Sequence, residues 1–425
     1  MKLLLKPFTF LQQQLQLLFR EGTITEKCIF LFYFIASIAL LLYSYTQVDL
    51  GLVITRVPSL YSVEKLFQYI GYFNRPLSAE LFILLASTFL LLYFIVWKHL
   101  SQKKMHSYTV WSIIGVVSII LLFSYNAFSY DLFNYIFDAK IITHYHQNPY
   151  IHKALDYAQD PMLGFMHWTE RTYPYGPLWL VITVPLSFIG ANIFIVTFFL
   201  FKILMGASYL FAIYYLFKIL KKVNETKAVE NLAFIALNPL LLYECLISGH
   251  NDIVMMAFAI AALYYLMQKK YWISLLLLAI SIGIKFATAA LIPIFLLVLL
   301  QHEKWNLIKE KIYQLSFAFM LFPLLFVTLR TTFQPWYLLY VLPFVPFISN
   351  KYIRFSFIVI PSISIFLYIP FLATGDWHSI WYTFPEKIVY WIILGGVIGS
   401  AIYLLTIGTR MLHLRFRFAY NKQHA

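Results

Sequence analysis

Charged residues are scarce in this chain: Asp, Glu, Lys and Arg make up 12% of its 425 residues, whereas 61% are hydrophobic. A soluble domain has roughly a quarter charged residues, so this composition excludes a soluble globular protein. Apolar runs of on the order of 18 residues, which is enough to cross a bilayer, recur along the sequence. The composition therefore predicts one membrane domain over residues 1–425, an all-α helix bundle whose outer surface faces lipid.

Cysteines and the usual cofactor motifs are also nearly absent. The two cysteines, Cys28 and Cys245, lie in apolar sequence without a CxxC partner, which excludes a disulfide framework and favours core packing. No glycine-rich nucleotide loop, HExxH sequence or nucleophile elbow is present. His144 and His146 do not share a helical face, so the following Asn-Pro turn explains them better than a metal site. We expect no cofactor and no metal, and a membrane-borne donor rather than a soluble nucleotide for any transfer reaction.

The net charge of +14 comes from lysines and arginines in the short loops between apolar runs. This distribution follows the positive-inside rule and argues against a nucleic-acid partner. The basic clusters at 98–104, 218–227, 269–270, 304–311, 351–354 and 410–417 are therefore predicted to be cytoplasmic. Spans from Ile29–Tyr45 to Val389–Ile407 then give about 12 crossings (11–13) of the plasma membrane with both termini inside. This count requires that Pro177–Ile219 make one net crossing. Within it, the stretch Ser187–Asn192 is predicted to separate a short segment from a long helix.

The polar segments that remain fall together on the non-cytoplasmic face. They are the loop 124–176, the turn Ser248–Asp252, the Lys285 end of its helix and the turn Arg330–Pro335. The orientation came from other loops, so this gathering is independent evidence for one extracytoplasmic site. The sequence predicts that the loop 124–176 is the catalytic loop and that it carries short helices.

Two carboxylates in this loop are the candidate catalytic residues. Asp131 and Asp138 are seven positions apart, so a continuous helix presents both on one face with Tyr135 between them. A carboxylate at the edge of lipid is costly unless it has a partner or a function. The alternative is that Asp131 only caps a helix at the membrane boundary.

Candidate substrate-binding residues occupy two further segments. Arg171 and Tyr175 belong to the aromatic stretch Trp168–Trp179, whose prolines and glycine favour a rigid wall that stacks on sugars; an interfacial aromatic belt is the alternative. A tight turn between two spans supplies the second group, which is His250, Asn251 and Asp252. Turn formation explains the turn residues other than His250, which is suited to orienting a carboxylate or contacting a sugar hydroxyl.

Two cations lie near the outer ends of their helices. Lys285 and Arg330 suit a lipid-linked phosphate, because arginine binds two phosphate oxygens and lysine acts as a point charge. Snorkelling of these side chains to the interface is the alternative. Lys202 lies deeper within its span, and it either pairs with Glu244 or faces a cytoplasmic cavity.

Four short motifs follow one another along the chain. They are Phe128-Ser-Tyr-Asp131-Leu-Phe-Asn-Tyr135 with Asn148-Pro-Tyr150; Trp168 to Tyr173-Pro-Tyr-Gly-Pro177; Asn238-Pro to Gly249-His-Asn-Asp252; and Gln334-Pro-Trp336-Tyr337. Together they resemble GT-C-type glycosyltransferases. The similarity is to bacterial polyprenol-phosphate-mannose-dependent α-mannosyltransferases, which are related to glycosyltransferase family 87 and glycosylphosphatidylinositol mannosyltransferase I. Tyr130 stands where many members of this group have arginine.

The resemblance implies an inverting transfer of a hexose, with mannose favoured, from a polyprenyl-phosphate sugar to a glycan, lipid or cell-envelope acceptor at the outer membrane face. It implies that Asp131 is the general base that deprotonates the acceptor hydroxyl, and it adds Trp336 to the substrate-binding residues. Polyprenyl phosphate leaves readily, so neither a protein acid nor a metal is required. Two other functions stay open at this point: transport or flipping of a lipid-linked sugar without chemistry, and joining of lipid-linked glycans by a polymerase or ligase.

Overall fold

The computed structural model describes residues 2–52, 57–300 and 311–376, together with Lys387, Trp391 and Gly395. Within these ranges every regular element is helical and none is a strand, which confirms the all-α prediction. Apart from Trp391 and Gly395, the predicted span Val389–Ile407 lies outside the described residues, as does the basic cluster 410–417.

The α-helices are numbered here in chain order. The first eight are α1 Lys2–Glu21, α2 Ile24–Thr46, α3 Tyr61–Gln68, α4 Arg75–Ser101, α5 Ser107–Leu122, α6 Asp131–Thr143, α7 Pro177–Ile189 and α8 Phe194–Val223. The others are α9 Ala228–Ala236, α10 Pro239–Leu241, α11 Asp252–Met267, α12 Tyr271–Ile284, α13 Ile292–Leu300, α14 Ile312–Arg330, α15 Lys351–Ser364 and α16 Ile369–Thr374.

Five described segments are long and apolar enough to cross a membrane: α2, α4, α8, α14 and the combined Lys351–Thr374. A sixth candidate consists of Glu225–Ala236 and Pro239–Ile247, which are bent by 51° relative to each other. These helices indicate a membrane protein, but the prediction of about 12 crossings is not confirmed. Several predicted spans are shorter apolar helices, and Trp336–Ile348 is built largely from the 3-10 helices Pro335–Tyr340 and Leu342–Phe347.

The predicted break in Pro177–Ile219 is confirmed. The helix α7 ends at Ile189 and α8 begins at Phe194. Between them Ala191 and Asn192 adopt left-handed backbone conformations, with φ of 48° and 59°. Such residues end a right-handed helix, so a short apolar helix precedes the long α8.

The functional region forms where several helix ends meet. The helix α11 packs between α8 and α12, and α6 packs against α7 and α8. Almost all of α11 is buried, as expected of a helix that is apolar on every side. This packing brings together the start of α6, the start of α11 and the end of α12.

A break in the chain shapes the segment before α11. The Asn238 side chain accepts a hydrogen bond from the backbone N–H of Leu240 at 3.0 Å, and Pro239 begins the next helical segment. Leu242–Ile247 then forms a π-helical turn. The buried ammonium of Lys202 donates to Ser124 Oγ and the carbonyl of Ile247, both at 3.0 Å, and to the carbonyl of Leu246. Lys202 thus holds the end of this turn rather than pairing with Glu244.

Candidate active site

Asp131 is the first residue of α6, where the helix dipole favours a negative charge. Its backbone N–H donates to Ser129 Oγ at 3.2 Å, and its carboxylate faces two basic side chains. The Oδ1 atom lies 3.9 Å from an Arg171 Nη2 atom, and Oδ2 lies 3.4 Å from His250 Nδ1. A helix-capping role does not account for this carboxylate, because the cap position is Tyr130.

The imidazole of His250 lies between two carboxylates. Its Nε2 atom is 3.3 Å from Glu244 Oε2, and both side chains are fully buried. The Tyr368 hydroxyl donates to the other oxygen of Glu244 at 2.8 Å. The indole of Trp336 stacks on the imidazole, with ring centroids 3.9 Å apart and planes inclined by 17°. Asp131, His250, Glu244 and Tyr368 therefore form a continuous polar row inside the protein.

These neighbours determine the charges of Asp131 and His250. Burial alone lowers the pKa of His250, but the carboxylates of Asp131 and Glu244 outweigh burial and raise it to about 9. Burial raises the pKa of Asp131, but His250, Arg171 and Lys285 outweigh it and hold that pKa below its usual value. At neutral pH, Asp131 is consequently a carboxylate and His250 an imidazolium.

A second ion pair lies beside this row. Lys285 directly follows α12, and its Nζ atom donates to Oδ1 of Asp252, the first residue of α11, at 2.7 Å. The ammonium also lies 5.9 Å from the ring centroids of Tyr337 and Tyr340. Aromatic faces at this distance favour a cation, so Lys285 is held in an aromatic environment at the junction of α11 and α12.

The predicted aromatic wall stands next to Asp131. The ring of Tyr135 lies 5.2 Å from that of Tyr175 and 5.3 Å from that of Trp179, both in edge-on contact. The Tyr135 hydroxyl is 3.5 Å from Asp131 Oδ2, and Arg171 donates to the Tyr175 hydroxyl at 3.5 Å. Tyrosine, arginine and carboxylate groups thus share one side of the site.

Backbone contacts fix the loop 124–176 relative to the helices. The side-chain amide of Asn134 on α6 donates to the backbone carbonyl of His167 at 2.8 Å. At the far end of the loop, the N–H of Gly176 donates to the carbonyl of Ile284 at 3.1 Å. A Cβ atom on Gly176 would lie 2.2 Å from the carbonyl oxygen of Gly283. Only glycine allows this approach, which brings the aromatic wall up to the end of α12.

Three predicted site residues have distinct surroundings. Asp138 forms no ion pair with a described residue, and burial, opposed by Arg171 and reinforced by Asp131, raises its pKa to about 7. Asn251 is fully buried, and its side-chain oxygen and nitrogen have no hydrogen-bond partner in the described part of the chain. Arg330 ends α14 with an exposed side chain and makes no ion pair within the described ranges.

Two residues of the polar row were not assigned to the site from the sequence. Glu244 is a lone acid in an apolar run, which signals an intramembrane partner, but its sequence neighbours do not name His250. Tyr368 is one tyrosine among many and carries no signal of its own. Among the described residues, no group of three or more His, Cys, Asp or Glu side chains has the arrangement of a metal site.

Comparison with known proteins gives a match to a protein family. Residues 34–301 match the family model described as alpha-(1->6)-mannopyranosyltransferase, N-terminal domain. The match covers more than half of the chain and includes Asp131, Arg171, Glu244, His250 and Lys285. No curated protein and no solved structure matches.

Proposed function

Since the chain belongs to the alpha-(1->6)-mannopyranosyltransferase family, we propose that it transfers mannose from a polyprenyl-phosphate sugar to a glycan or lipid acceptor of the cell envelope. Glycosyl transfer between a sugar donor and an acceptor follows from the family. The polyprenyl-phosphate donor, inversion at the anomeric carbon and the outer membrane face are the proposed refinements.

The observation that carries the proposal is the placement of Asp131. Its carboxylate is held ionised between Arg171 on the Oδ1 side and His250 on the Oδ2 side. A general base must be ionised and within reach of the proton that it removes. In the proposed reaction Asp131 takes the proton of the acceptor hydroxyl as that oxygen attacks the anomeric carbon. The bond from that carbon to the phosphate oxygen breaks, and polyprenyl phosphate leaves with the electron pair.

Cations near Asp131 would stabilise the leaving phosphate. Arg171 and Lys285 both lie close enough to Asp131 to lower its pKa, and Lys285 sits among aromatic rings. Fixed cations stabilise negative charge that develops on a leaving group, most strongly where water is excluded. We assign Lys285 to the donor phosphate and keep Arg330 as a second, more exposed candidate for the same role.

Neighbouring polar and aromatic groups would bind the sugars. The Asn251 amide lacks a protein partner although it is buried, and a buried amide without a partner is costly, which suits a hydrogen bond to a sugar hydroxyl. Tyr135, Tyr175 and Trp336 offer ring faces and edges beside Asp131. Asp252 keeps Lys285 in place, and Asp138 is the second carboxyl group on the same face of α6.

The side of the membrane that the site faces is also part of the proposal. The basic clusters between apolar runs predict that the site faces the outer side of the plasma membrane. The same proposal includes about 12 crossings, a GT-C-like bundle and a relation to glycosyltransferase family 87. A polyprenyl-phosphate donor fits this side because it is delivered within the membrane, whereas the sequence has no nucleotide-binding loop.

A labelled-donor experiment tests the proposal. Membranes containing the protein are incubated with radiolabelled polyprenyl-phosphate-mannose or polyprenyl-phosphate-glucose and with a mannan-type oligosaccharide acceptor. We expect mannose to appear on the acceptor, and Asp131→Asn to lower transfer by on the order of 10²–10⁴-fold. Asp156→Asn is the matched control, because Asp156 lies in the same loop with an exposed side chain and should leave transfer unchanged.

Four results would overturn the proposal. One is full transfer by Asp131→Asn in a normally inserted protein, and another is transfer from a nucleotide sugar but not from the lipid-linked donor. The third is movement of the intact labelled donor across sealed vesicles without release of its sugar, which would favour a transporter. Transfer of a whole lipid-linked glycan in place of one hexose would instead identify a polymerase or ligase.

A further inference from the structure

The two oxygens of Asp131 have different surroundings. Oδ2 faces the interior, 3.4 Å from His250 Nδ1 and 3.5 Å from the Tyr135 hydroxyl. Oδ1 faces Arg171 at the longer distance of 3.9 Å. Protein groups thus lie closer to Oδ2 than to Oδ1, which makes Oδ1 the candidate oxygen for receiving a proton from a substrate hydroxyl.

A buried carboxylate stands behind His250, away from Asp131. Glu244 is fully buried in the π-helical turn Leu242–Ile247, and burying a carboxylate is costly unless it is compensated. Its compensation consists of His250 Nε2 at 3.3 Å and the Tyr368 hydroxyl at 2.8 Å. Fold stability alone would be served as well if apolar side chains replaced both His250 and Glu244, so this buried pair calls for a further role.

We propose that Glu244 is a positioning residue for the general base: it keeps His250 protonated on both nitrogens, so that His250 holds Oδ2 of Asp131 and leaves Oδ1 for the acceptor hydroxyl. This inference rests on the proposed function of Asp131. It assigns a role to Glu244, which Tyr368 and His250 contact and which acts on the reaction through His250.

Charge balance during the proton transfer explains why a second carboxylate is needed. Before transfer, the row carries two carboxylates and one imidazolium, a net charge of −1. When the acceptor O–H bond breaks and the proton joins Oδ1, the row becomes neutral, because Glu244 still balances His250. Without Glu244 the same step would leave an unbalanced imidazolium inside the protein, which is costly at low dielectric constant. Glu244 therefore makes Asp131 a better base while His250 keeps it oriented.

Few charged or titratable groups face His250, so the ones that influence its protonation can be named. Asp131 from α6 and Glu244 from the π-helical turn face its two nitrogens. Trp336 covers the ring, and the Tyr135 hydroxyl lies 3.4 Å from the backbone nitrogen of the adjacent Asn251. Asp252 in the same turn is paired with Lys285, and Arg171 is on the far side of Asp131. Asp131 and Glu244 are thus the groups that hold the proton on His250.

The pH dependence of transfer distinguishes this role from a purely structural one. In the unmodified protein, transfer should decline as the pH rises through about 9, where His250 loses its proton. Glu244→Gln removes one of the two carboxylates, so the decline should move toward the ordinary histidine value near 6.5. The rate at pH 7 should fall roughly 10- to 100-fold, as expected when a catalytic group is misplaced. Glu244→Asp keeps the charge and should keep the decline near its original pH.

Paired variants separate failure of this inference from failure of the proposed function. In a His250→Gln background, Glu244→Gln should cost little further activity, since Glu244 acts through His250. Glu225→Gln, on the exposed segment before α9, is the control.

If Asp131→Asn is inactive but Glu244→Gln keeps the original rate and pH profile, Glu244 has no positioning role. If Asp131→Asn is active, the proposed function itself fails. If Glu244→Gln lowers the rate equally at all pH values, Glu244 is structural only and the inference is wrong.

Discussion

The ammonium of Lys285 lies 2.7 Å from Oδ1 of Asp252, a carboxylate that is fully buried at the start of α11. The pair joins the end of α12 to the start of α11 and neutralises both charges before any donor arrives. An ammonium has three donors, so Lys285 can keep Asp252 and still contact a phosphate. The ion pair is therefore compatible with the phosphate role proposed for Lys285, and Asp252 fixes its position.

Variants that remove one charge or both charges of this pair distinguish an effect on stability from an effect on donor binding. Lys285→Met leaves Asp252 buried without its cation, which costs about 3–5 kcal/mol in the free energy of unfolding for a buried pair. The double variant Asp252→Asn/Lys285→Met removes both charges and should recover most of that stability. We expect the KM for the polyprenyl-phosphate donor to stay raised at least about tenfold in both variants, because the phosphate cation is missing.

Thermal unfolding in detergent and donor titration measure these two quantities. Arg330→Ala is the comparison for the more exposed cation, and a raised donor KM there would support its share in phosphate binding. A double variant with both recovered stability and an unchanged donor KM would show that Lys285 is only structural.

Asp138 should give the reaction a second pH dependence near neutrality. Its pKa is raised to about 7, so the carboxyl group is neutral below that pH and charged above it. Because the folded-state value is raised, its protonated form favours the folded state. This contribution is fully present below the unfolded value near 3.8 and is lost as the pH rises through about 7. Asp138→Asn mimics the neutral form and should unfold at a higher temperature than the unmodified protein at pH 8.

The same variant tests whether the charge of Asp138 matters for transfer. If it does, the change in rate that accompanies ionisation near pH 7 should disappear in Asp138→Asn, while Asp138→Glu should retain it. Thermal midpoints and transfer rates at pH 5, 6, 7 and 8 supply the comparison. Equal midpoints for Asp138→Asn and the unmodified protein at pH 8 would contradict the raised pKa.

Helix content and the main polar residues could be predicted from the sequence because they depend on local patterns. Apolar runs predict helices, and the seven-residue spacing of Asp131 and Asp138 predicts their common helix face, which the continuous α6 confirms. The contact between Asp131 and His250 spans more than a hundred positions. The position of a residue in the chain can be used to predict its side of the membrane. It does not predict which distant side chain the residue contacts.

For related reasons the sequence alone neither establishes the number of crossings nor places Glu244 beside His250. Segments such as Trp336–Ile348 are apolar enough for a span but contain two prolines and adopt 3-10 turns, so composition alone does not establish a membrane-spanning α-helix. Glu244 sits in a π-helical turn, whose last carbonyls accept hydrogen bonds from Lys202, a residue distant in the chain. Neither the π-helical turn nor the direction of the Glu244 carboxylate follows from helical periodicity.

Removing the ammonium of Lys202 should loosen that turn. Lys202→Met keeps the length and apolar stem of the side chain but deprives the carbonyls of Leu246 and Ile247 of a donor. An unsatisfied buried polar group costs about 1–3 kcal/mol, so the thermal midpoint of unfolding should fall. Lys221→Met on the same helix is the control, because its side chain is half exposed and its ion pair with Glu225 lies at the surface. Equal midpoints for the two variants would show that Lys202 does not hold the turn.

Gly176 offers a test of how closely the aromatic wall must approach α12. A Cβ atom there would lie 2.2 Å from the carbonyl oxygen of Gly283, which is backbone and cannot move aside as a flexible side chain would. Gly176→Ala should therefore push the wall, with Tyr175, away from Lys285, and a displacement of about 1 Å can cost roughly 100-fold in rate. The matched control is Gly164→Ala in the same loop, where a Cβ meets nothing within 4 Å. Because Asp131 and Lys285 are unaltered, we expect the loss in Gly176→Ala to appear with both donor and acceptor at saturation. A variant with the original kcat would show that the contact between Gly176 and Gly283 does not set the geometry of the site.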